Sequence, residues 1–511
     1  MLTGLKRLAA RFIYKSVSYS IRNAYESGAT DRRLSRWMPA AHGPNAAVLN
    51  NLETIRNRAR DQVRNNPWIS RGIKSWEANE IGCGITLKSA APDEEFRKRA
   101  DELWNRQIKY MDADGVYDFN GMLRLIVRTR REAGEIFIRR RPRLLSDGLP
   151  VPIQYQLLEP EFCPVSYNLT FNGDSVYAGI GFNAIGKRTV YWMYRSHPGD
   201  AIYSSIGSLQ QLSPIPAEMI IHHYDPLRAG QIRGIPAVVQ AMIKAKDFDE
   251  YDDAELVRKK NRAAYTGAIT RPKYEGDDEI SALTGLPKEL DADGVPVDEI
   301  QAGSFFTMLP GEEIKLFDGD TSGAGYADFV RQQLLGIGAG QDVPYEFISW
   351  DFSKLNDRTL RVVLAEYHRI IEQDRWLLTI PQVCMPIWQD FIDYAVMSGA
   401  LKAPADFAAE REAYSAVSCH PEGWPYLHEL QDANAAVVRL KAGLTSRKRE
   451  LADQGIDVRD VDEERREDAA RSKELGLSED YRSGAAPGGA PQPTADQNQN
   501  DGNSNSYANA A

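Results

Sequence analysis

The chain is poor in the residues that metal, redox and disulfide chemistry require. Its 511 residues include four cysteines and seven histidines. Cys83, Cys163, Cys384 and Cys419 form no C-x-x-C pair, and their separations suit neither a zinc site nor a dense disulfide framework. Buried, reduced thiols are expected. His222-His223 has no third ligand at useful spacing, so a strand-end pair is expected instead of a metal site. No apolar run is long enough to cross a bilayer. The best stretch, Trp376 to Trp388, is too short and contains Pro381 and Pro386. H-E-x-x-H and G-x-S-x-G are both absent, which removes two common hydrolase signatures.

Two glycine-rich segments fail as nucleotide loops. Gly181-Phe-Asn-Ala-Ile-Gly-Lys-Arg188 places Arg188 where a phosphate-binding loop needs Ser or Thr for magnesium. The Thr-Val-Tyr-Trp-Met-Tyr that follows alternates like a strand, so a hairpin turn is expected. Gly336-Ile-Gly-Ala-Gly340 follows a helical pattern, whereas a dinucleotide loop follows a strand. No catalytic residue, metal or cofactor is therefore assigned.

What is present suits a large helix-rich α+β protein. Hydrophobic residues make up 42% and charged residues 26%, which is ordinary for a globular protein, and the length suggests roughly three domains. Residues 1 to 40 carry eight Lys/Arg against Glu26 and Asp31, with Leu5, Leu8, Ala9, Phe12 and Ile13 on one helical face. Arg11 and Lys15 interrupt any signal-peptide core. This basic arm either docks on a neighbour or touches DNA, or is simply solvated. Residues 47 to 80 show helical spacing up to Gly82 and Gly84, and Ile85 to Lys88 alternates as a short strand. Glu94 to Tyr110 follows Pro92 as a helix, and Asp118-Phe-Asn120 caps the next one.

Arg124, Arg128, Arg130, Arg131, Arg139, Arg140, Arg141 and Arg143 form the densest basic region. Interface or internal ion pairing is favoured over direct DNA contact there. From Glu135 to His223 the pattern changes to period two, with strands at 136–138, 151–157, 176–182, 190–194 and 219–222. Gly234 and Pro236 open a long helix through Arg262, about 40 Å in length. Its middle is acidic and its end, Arg258, Lys259, Lys260 and Arg262, is basic, which suits the helix dipole. Gly267 to Asp318 is a smaller insert with strands around 268–270 and 305–308. A second helix from Tyr326 carries Phe329, Leu334 and Leu335 on one side and should stop at Gly336, Gly338 and Gly340. An exposed loop, Gln341 to Asp357, leads to a helix with Leu360, Val363, Leu364, Tyr367, Ile370 and Ile371 at helical spacing. Pro381 to Met397, Trp424 to Ala442, Ser446 to Gln454 and Asp457 to Leu475 read as further helices. Gly484 to Ala511 lacks the apolar groups to offset ordering entropy and should be disordered.

Four segments in order resemble the lambda-type phage portal proteins. These are Arg60-Asp-Gln-Val-Arg-Asn-Asn-Pro67, Gly230-Gln-Ile-Arg-Gly-Ile-Pro236, the stretch from Gly325-Tyr326 through Tyr345-Glu346 and Trp350-Asp-Phe-Ser353, and Gly443-Leu-Thr-Ser-Arg-Lys-Arg-Glu450. The resemblance covers roughly residues 45 to 470. It implies a portal fold assembling as a ring, with a basic arm (1–45), wing (46–235), first stem helix (236–262), clip (263–319) and second stem helix (320–340). A channel loop (341–357), wing helices (358–400), crown (401–475) and disordered tail (476–511) would follow.

The resemblance further implies a dodecamer at a unique capsid vertex, through which DNA is packaged and ejected. Its implied partners are the terminase large subunit, head–tail adaptor proteins, the major capsid or scaffold protein, and double-stranded DNA, with no membrane. The setting would be the virion, and the host cytoplasm during assembly. Lys354, Asn356, Arg358, Arg361, Arg258, Lys259, Lys260 and Arg262 become the DNA-channel candidates. A net charge of −10 argues against a general nucleic-acid coat but suits a wall along which DNA must slide. A DNA-packaging NTPase or nuclease, and a monomeric adaptor or scaffold, are the rival classes.

Overall fold

The computed structural model describes residues 39–200, 211–264, 325–425 and 428–476, with short strands at 268–270, 289–290, 296–297 and 313–315. At 261–264 and in those four strands only the backbone is described. Most of the basic arm, most of the clip, the Arg262 side chain and the C-terminal tail lie outside the described residues.

The first compact unit runs to Glu422. It opens with α1 (Pro44–Leu49), α2 (Leu52–Asn65) and α3 (Pro67–Glu80). The expected continuous helix is broken at Asn66, because Pro67 has no N–H to give to the preceding turn. The Asn66 side chain caps the new helix by accepting from Trp68 N and Ile69 N, each at 3.1 Å. Next come β1 (Ile85–Ser89), α4 (Glu94–Gln107) and α5 (Phe119–Ala133). Asp118 caps α5 at its start, and Gly134 ends it at φ +91°.

Eight strands organise the middle of this unit into two sheets. β2 (Glu135–Pro142), β3 (Ile153–Leu158) and β9 (Ile220–Tyr224) form an antiparallel sheet in the order β3-β2-β9. The second sheet is a meander of β4 (Leu169–Phe171), β5 (Asp174–Tyr177), β6 (Ile180–Phe182), β7 (Arg188–Met193) and β8 (Ser213–Pro216). The strand expected over 176–182 is split by a turn at Ala178 (φ +50°) and Gly179 (φ +79°). Residues 183–187 form the turn between β6 and β7, so the near-miss phosphate loop is a hairpin. Phe137, Leu158, Ile180, Tyr191, Met193 and Ile215 fill the space between the sheets.

The long helix α6 (Val239–Ala264) is followed by the strands β10 (Ala268–Thr270), β11 (Glu289–Leu290), β12 (Pro296–Val297) and β13 (Glu313–Lys315). β10 pairs with β13, and β11 with β12. Then come α7 (Tyr326–Ala339), α8 (Tyr345–Ser349), α9 (Asp357–Asp374) and α10 (Met385–Met397). A π-helical stretch, Arg375–Cys384, joins α9 to α10 without a break. Sequence reading starts a helix at Pro381, yet the backbone passes through it, because the wider π turn accommodates both the ring and the missing donor. After the short α11 (Arg411–Tyr414), β14 (Val417–Pro421) returns to pair with β1. Residues 401–422 thus belong to this unit. Cys163, Cys384 and Cys419 are buried as expected, but Cys83 is exposed.

The second unit begins at Gly423 and contains α12 (Glu429–Lys441), α13 (Arg447–Ala452) and α14 (Val458–Leu475). Arg439 pairs with Glu450 at 2.8 Å and Arg447 with Asp462 at 2.5 Å.

The paired long helices and the candidate channel surface

The start of α6 is held by a buried charge cluster. Glu135, at the head of β2, accepts from Arg233 Nε at 2.6 Å, from the Gly234 backbone N–H at 2.9 Å and from the Arg56 guanidinium. Burial alone would raise the Glu135 pKa, but the Arg233 and Arg56 cations outweigh it and hold the carboxyl well below its usual range. Arg233 also donates to the carbonyls of Ala178 (2.7 Å) and Cys163 (3.0 Å). A Cβ on Gly234 would lie 2.6 Å from the Gly134 carbonyl carbon, so these two backbones meet only as glycines. The Gly-Gln-x-Arg-Gly segment therefore ties the long helix to the sheet. Sequence reading missed Glu135 as a hub, although an acid directly after a glycine helix stop was a visible cue.

A second cluster lies beneath. Glu80 is fully buried and accepts from Arg130 (2.7 Å), Trp76 Nε1 (2.6 Å) and Thr379 Oγ1 (2.5 Å). Arg131 donates to the Gln341 carbonyl at 2.6 Å and lies over the Trp76 ring at 3.8 Å. Arg124 and Arg128 both reach Glu77, and Arg140 reaches Asp390 at 2.5 Å. Internal pairing is thus the fate of most of the dense arginine region.

α6 and α7 pack side by side. Ala241, Met242, Ala245 and Phe248 of α6 share a core with Leu334 and Ile337 of α7 and with Ile69 and Ile73 of α3. The expected apolar face of α7 is therefore displaced: Leu334 is buried, whereas Phe329 and Leu335 are substantially exposed. Gly336 and Gly338 do not stop the helix. They lie inside it, and at Gly338 the neighbouring backbone leaves no room for a Cβ. One on Gly338 would come 2.7 Å from the Val343 carbonyl oxygen, and one on Gly340 would come 3.0 Å from Ala241 Cβ. At the other end, Phe329 packs on Tyr251, the Tyr326 hydroxyl meets Asp252, and Lys259 Nζ sits 4.2 Å above the Tyr326 ring. Bonding to Asp252 pushes the Tyr326 hydroxyl up to about 12.

Residues 341–357 are not a uniform exposed loop. Gln341, Val343, Tyr345 and Ile348 are buried, and α8 occupies the middle. The exposed part starts at Trp350, which adopts φ +58° with the Arg71 guanidinium 4.2 Å over its ring. Asp351 then accepts from Ser353 N (3.1 Å), Ser353 Oγ (2.5 Å) and the Tyr345 hydroxyl (3.2 Å), so the turn is braced. Lys354 lies at its tip and is exposed. Asn356 caps α9, its Oδ1 accepting from Thr359 N at 2.8 Å. Arg361 pairs with Asp357 at 3.4 Å. Lys354 and Arg358 are exposed and have no ion pair among the described residues.

The other basic candidates lie elsewhere. Arg258 donates to Glu255 at 2.6 Å, Lys259 reaches the same carboxylate at 3.8 Å, and Lys260 is exposed. Ala241 meets Gly340 at one end of the helix pair while Lys259 meets Tyr326 at the other. Residues 241 and 259 are 18 apart, so the paired stretch of α6 is about 27 Å long.

Among the described residues, Glu159, Glu161 and His197 form the one group with metal-ligand geometry. Arg60 already occupies it, reaching Glu161 at 2.8 Å and Glu159 at 3.3 Å. His222 and His223 lie on β9, bonded to Glu135 and to Gln382. No helix among the described residues is long and apolar enough to cross a membrane.

Comparison with known proteins places this architecture among the phage portal proteins. The family described as "Phage portal protein, lambda family" matches residues 30–375, more than half of the chain, and the chain belongs to it. It is 26% identical over 451 residues to the probable portal protein of Halomonas phage phiHAP-1, covering 85% of this chain and 83% of that one. It is 23% identical to portal protein B of Escherichia phage lambda, over 84% and 86% of the two chains. Among solved structures it is similar to the neck of a native gene transfer agent particle computed with C12 symmetry, at 12% identity and a TM-score of 0.46, covering 84% of this chain and 99% of that one. The relatives are named as portal proteins, and the family is structural rather than enzymatic.

Proposed function

We propose that this protein is the subunit of a dodecameric ring at one vertex of a phage capsid. Double-stranded DNA enters through the ring during packaging and leaves through it at ejection. The observation that carries this reading is the family match across residues 30–375. The α6–α7 pair supplies a stiff wall, and the braced turn at 350–356 and the first turn of α9 present Lys354 and Arg358 with no ion pair among the described residues. Arg258, Lys259, Lys260 and Arg262 mark a second basic level on the same wall, with Asn356 and Arg361 serving the geometry of the first. The insert between α6 and α7 acts as the clip that meets the terminase large subunit and later the head–tail adaptors. The wing faces the major capsid or scaffold protein. The ring assembles in the host cytoplasm and ends in the virion.

The test is the mass and symmetry of the purified protein, by light scattering and negative-stain class averages. Closed rings of about a dozen subunits with a central hole are expected. DNA-stimulated ATP turnover abolished by Lys187→Ala would instead support the packaging-NTPase reading.

A further inference from the structure

The dense arginine region divides into two sets. Arg124, Arg128 and Arg130 of α5, together with Arg140, face carboxylates, and Arg131 donates to the Gln341 carbonyl. Arg139, Arg141 and Arg143 do not. They follow Phe137 at alternate positions and so lie on the same side of β2 and its extension. Phe137 itself is covered by the second sheet, through Tyr191. Farther along the strand that side carries arginines instead of apolar residues. Arg141 and Arg143 have neutral partners: Arg141 Nε bonds Gln156 Oε1 at 3.0 Å, and Arg143 Nε bonds Gln154 Oε1 at 2.8 Å. Among the described residues none of the three forms an ion pair, and Asp114 acts on Arg141 only from a distance. Burial, with the neighbouring Arg141 guanidinium, lowers the Arg139 pKa, so the row carries an electrostatic cost within the chain.

Apolar groups border the row. Leu144 and Leu145 follow it directly and are 71% and 73% exposed. Tyr110 is half exposed, and its carbonyl accepts from the same Gln154 side chain at 2.8 Å. A phosphate backbone has no use for exposed leucines. Arginine and tyrosine beside aliphatic groups are the composition of protein interfaces. The row also runs away from Glu135, the end of β2 to which the long helix is tied.

We propose that the Arg139, Arg141 and Arg143 face, with Tyr110, Leu144 and Leu145 beside it, docks an acidic segment of a partner protein. That segment would set carboxylates about 7 Å apart, the repeat of alternate strand residues, next to an apolar side chain. The inference does not depend on ring assembly.

The probe is a fluorescein-labelled peptide with glutamate at alternate positions and leucine or serine between them, titrated with the full chain and read by anisotropy. Binding should weaken with salt, and a lysine-for-glutamate peptide should not bind. The triple variant Arg139→Gln, Arg141→Gln, Arg143→Gln should bind about tenfold more weakly, and Leu144→Ser with Leu145→Ser should also weaken binding. Should the triple variant fail to fold, Arg143→Gln and the exposed leucine variants carry the test. Unchanged peptide affinity in the variants overturns the proposal. So does a triple variant that keeps the peptide but loses duplex DNA, or one that keeps the peptide but loses self-association in sedimentation.

Discussion

Arg233 donates to Glu135 at 2.6 Å with both side chains fully buried. Their energetics are asymmetric. Two buried charges gain little over a well-packed apolar pair, but one left alone is costly. Arg233→Met leaves Glu135 with one guanidinium where it had two and takes the donor from the buried Ala178 and Cys163 carbonyls, and Glu135→Gln strands two guanidinium groups. Each should destabilise the fold by about 3–5 kcal/mol. Urea unfolding of the purified variants measures this, and a loss well below 1 kcal/mol would mean that water or relaxation takes over the partner's role.

His222 predicts an acid limit to stability. Burial pushes its pKa down to about 4. The geometry agrees: Nε2 lies 2.9 Å from Glu135 and Nδ1 lies 3.1 Å from Arg188 NH1. Only the neutral Nε2–H tautomer donates to the first and accepts from the second. The unfolded chain therefore binds more protons at this residue between about pH 6.5 and 4. Its contribution is complete above that window and is lost as pH falls through it. His222→Gln keeps one donor and one acceptor without titrating, so its unfolding midpoint should decline less steeply from pH 7 to pH 5. Matching slopes in the two proteins would refute the assignment.

Asn66 carries two tasks. It caps α3, and its Nδ2 reaches the Ala245 carbonyl of α6 at 3.4 Å. Asn66→Ser keeps a capping oxygen and removes only the second bond, whereas Asn66→Ala removes both. The alanine variant should lose about 1 kcal/mol or more, and the serine variant less. Thermal melts that rank them the other way would show that the α6 contact outweighs the cap.

Local signals were legible and nonlocal ones were not. Asp118, Gly134 and Pro92 mark boundaries through backbone chemistry that involves only adjacent residues. The alternation after Glu135 exposes strands because one face of each must be dry. By contrast, β1 finds β14 across most of the chain, and no local pattern names a strand's partner. Gly336 and Gly338 read as stops because glycine serves both to end helices and to admit a close neighbour. The first half of the candidate loop was misread for a related reason: Val343, Tyr345 and Ile348 are buried, and α3, against which Tyr345 packs, lies far away in sequence. The candidate cations were visible as residue types. Which of them are already paired, as Arg361 and Arg258 are, depends on the fold.

Gly338 tests the close packing of α7 directly. Alanine is the better helix former by about 1 kcal/mol. Its Cβ would nevertheless lie 2.7 Å from the Val343 carbonyl oxygen, a backbone atom that cannot swing away. Gly338→Ala should therefore destabilise despite its propensity. Gly336→Ala meets only the flexible end of Lys244 and should be near neutral or stabilising. Chemical denaturation of the pair separates packing from propensity, and a stabilised Gly338→Ala would show that the 341–344 turn yields.

Lys354 and Arg358 lie on a braced turn and on the first turn of α9, exposed and with no ion pair among the described residues. Asn356 is committed to the cap and Arg361 to Asp357. Lys354→Ala and Arg358→Ala should therefore change stability by less than about 0.5 kcal/mol and leave assembly intact. Asn356→Ala should cost about 1 kcal/mol through the lost cap. If DNA passes this turn, the two cation variants alter packaging or retention of DNA, with an effect that shrinks as salt screens the contact. Negative-stain averages check assembly, and nuclease-protected DNA per particle checks the channel role. Failure of either cation variant to form rings would make these residues structural. Intact rings with unchanged DNA retention would remove this turn from the channel.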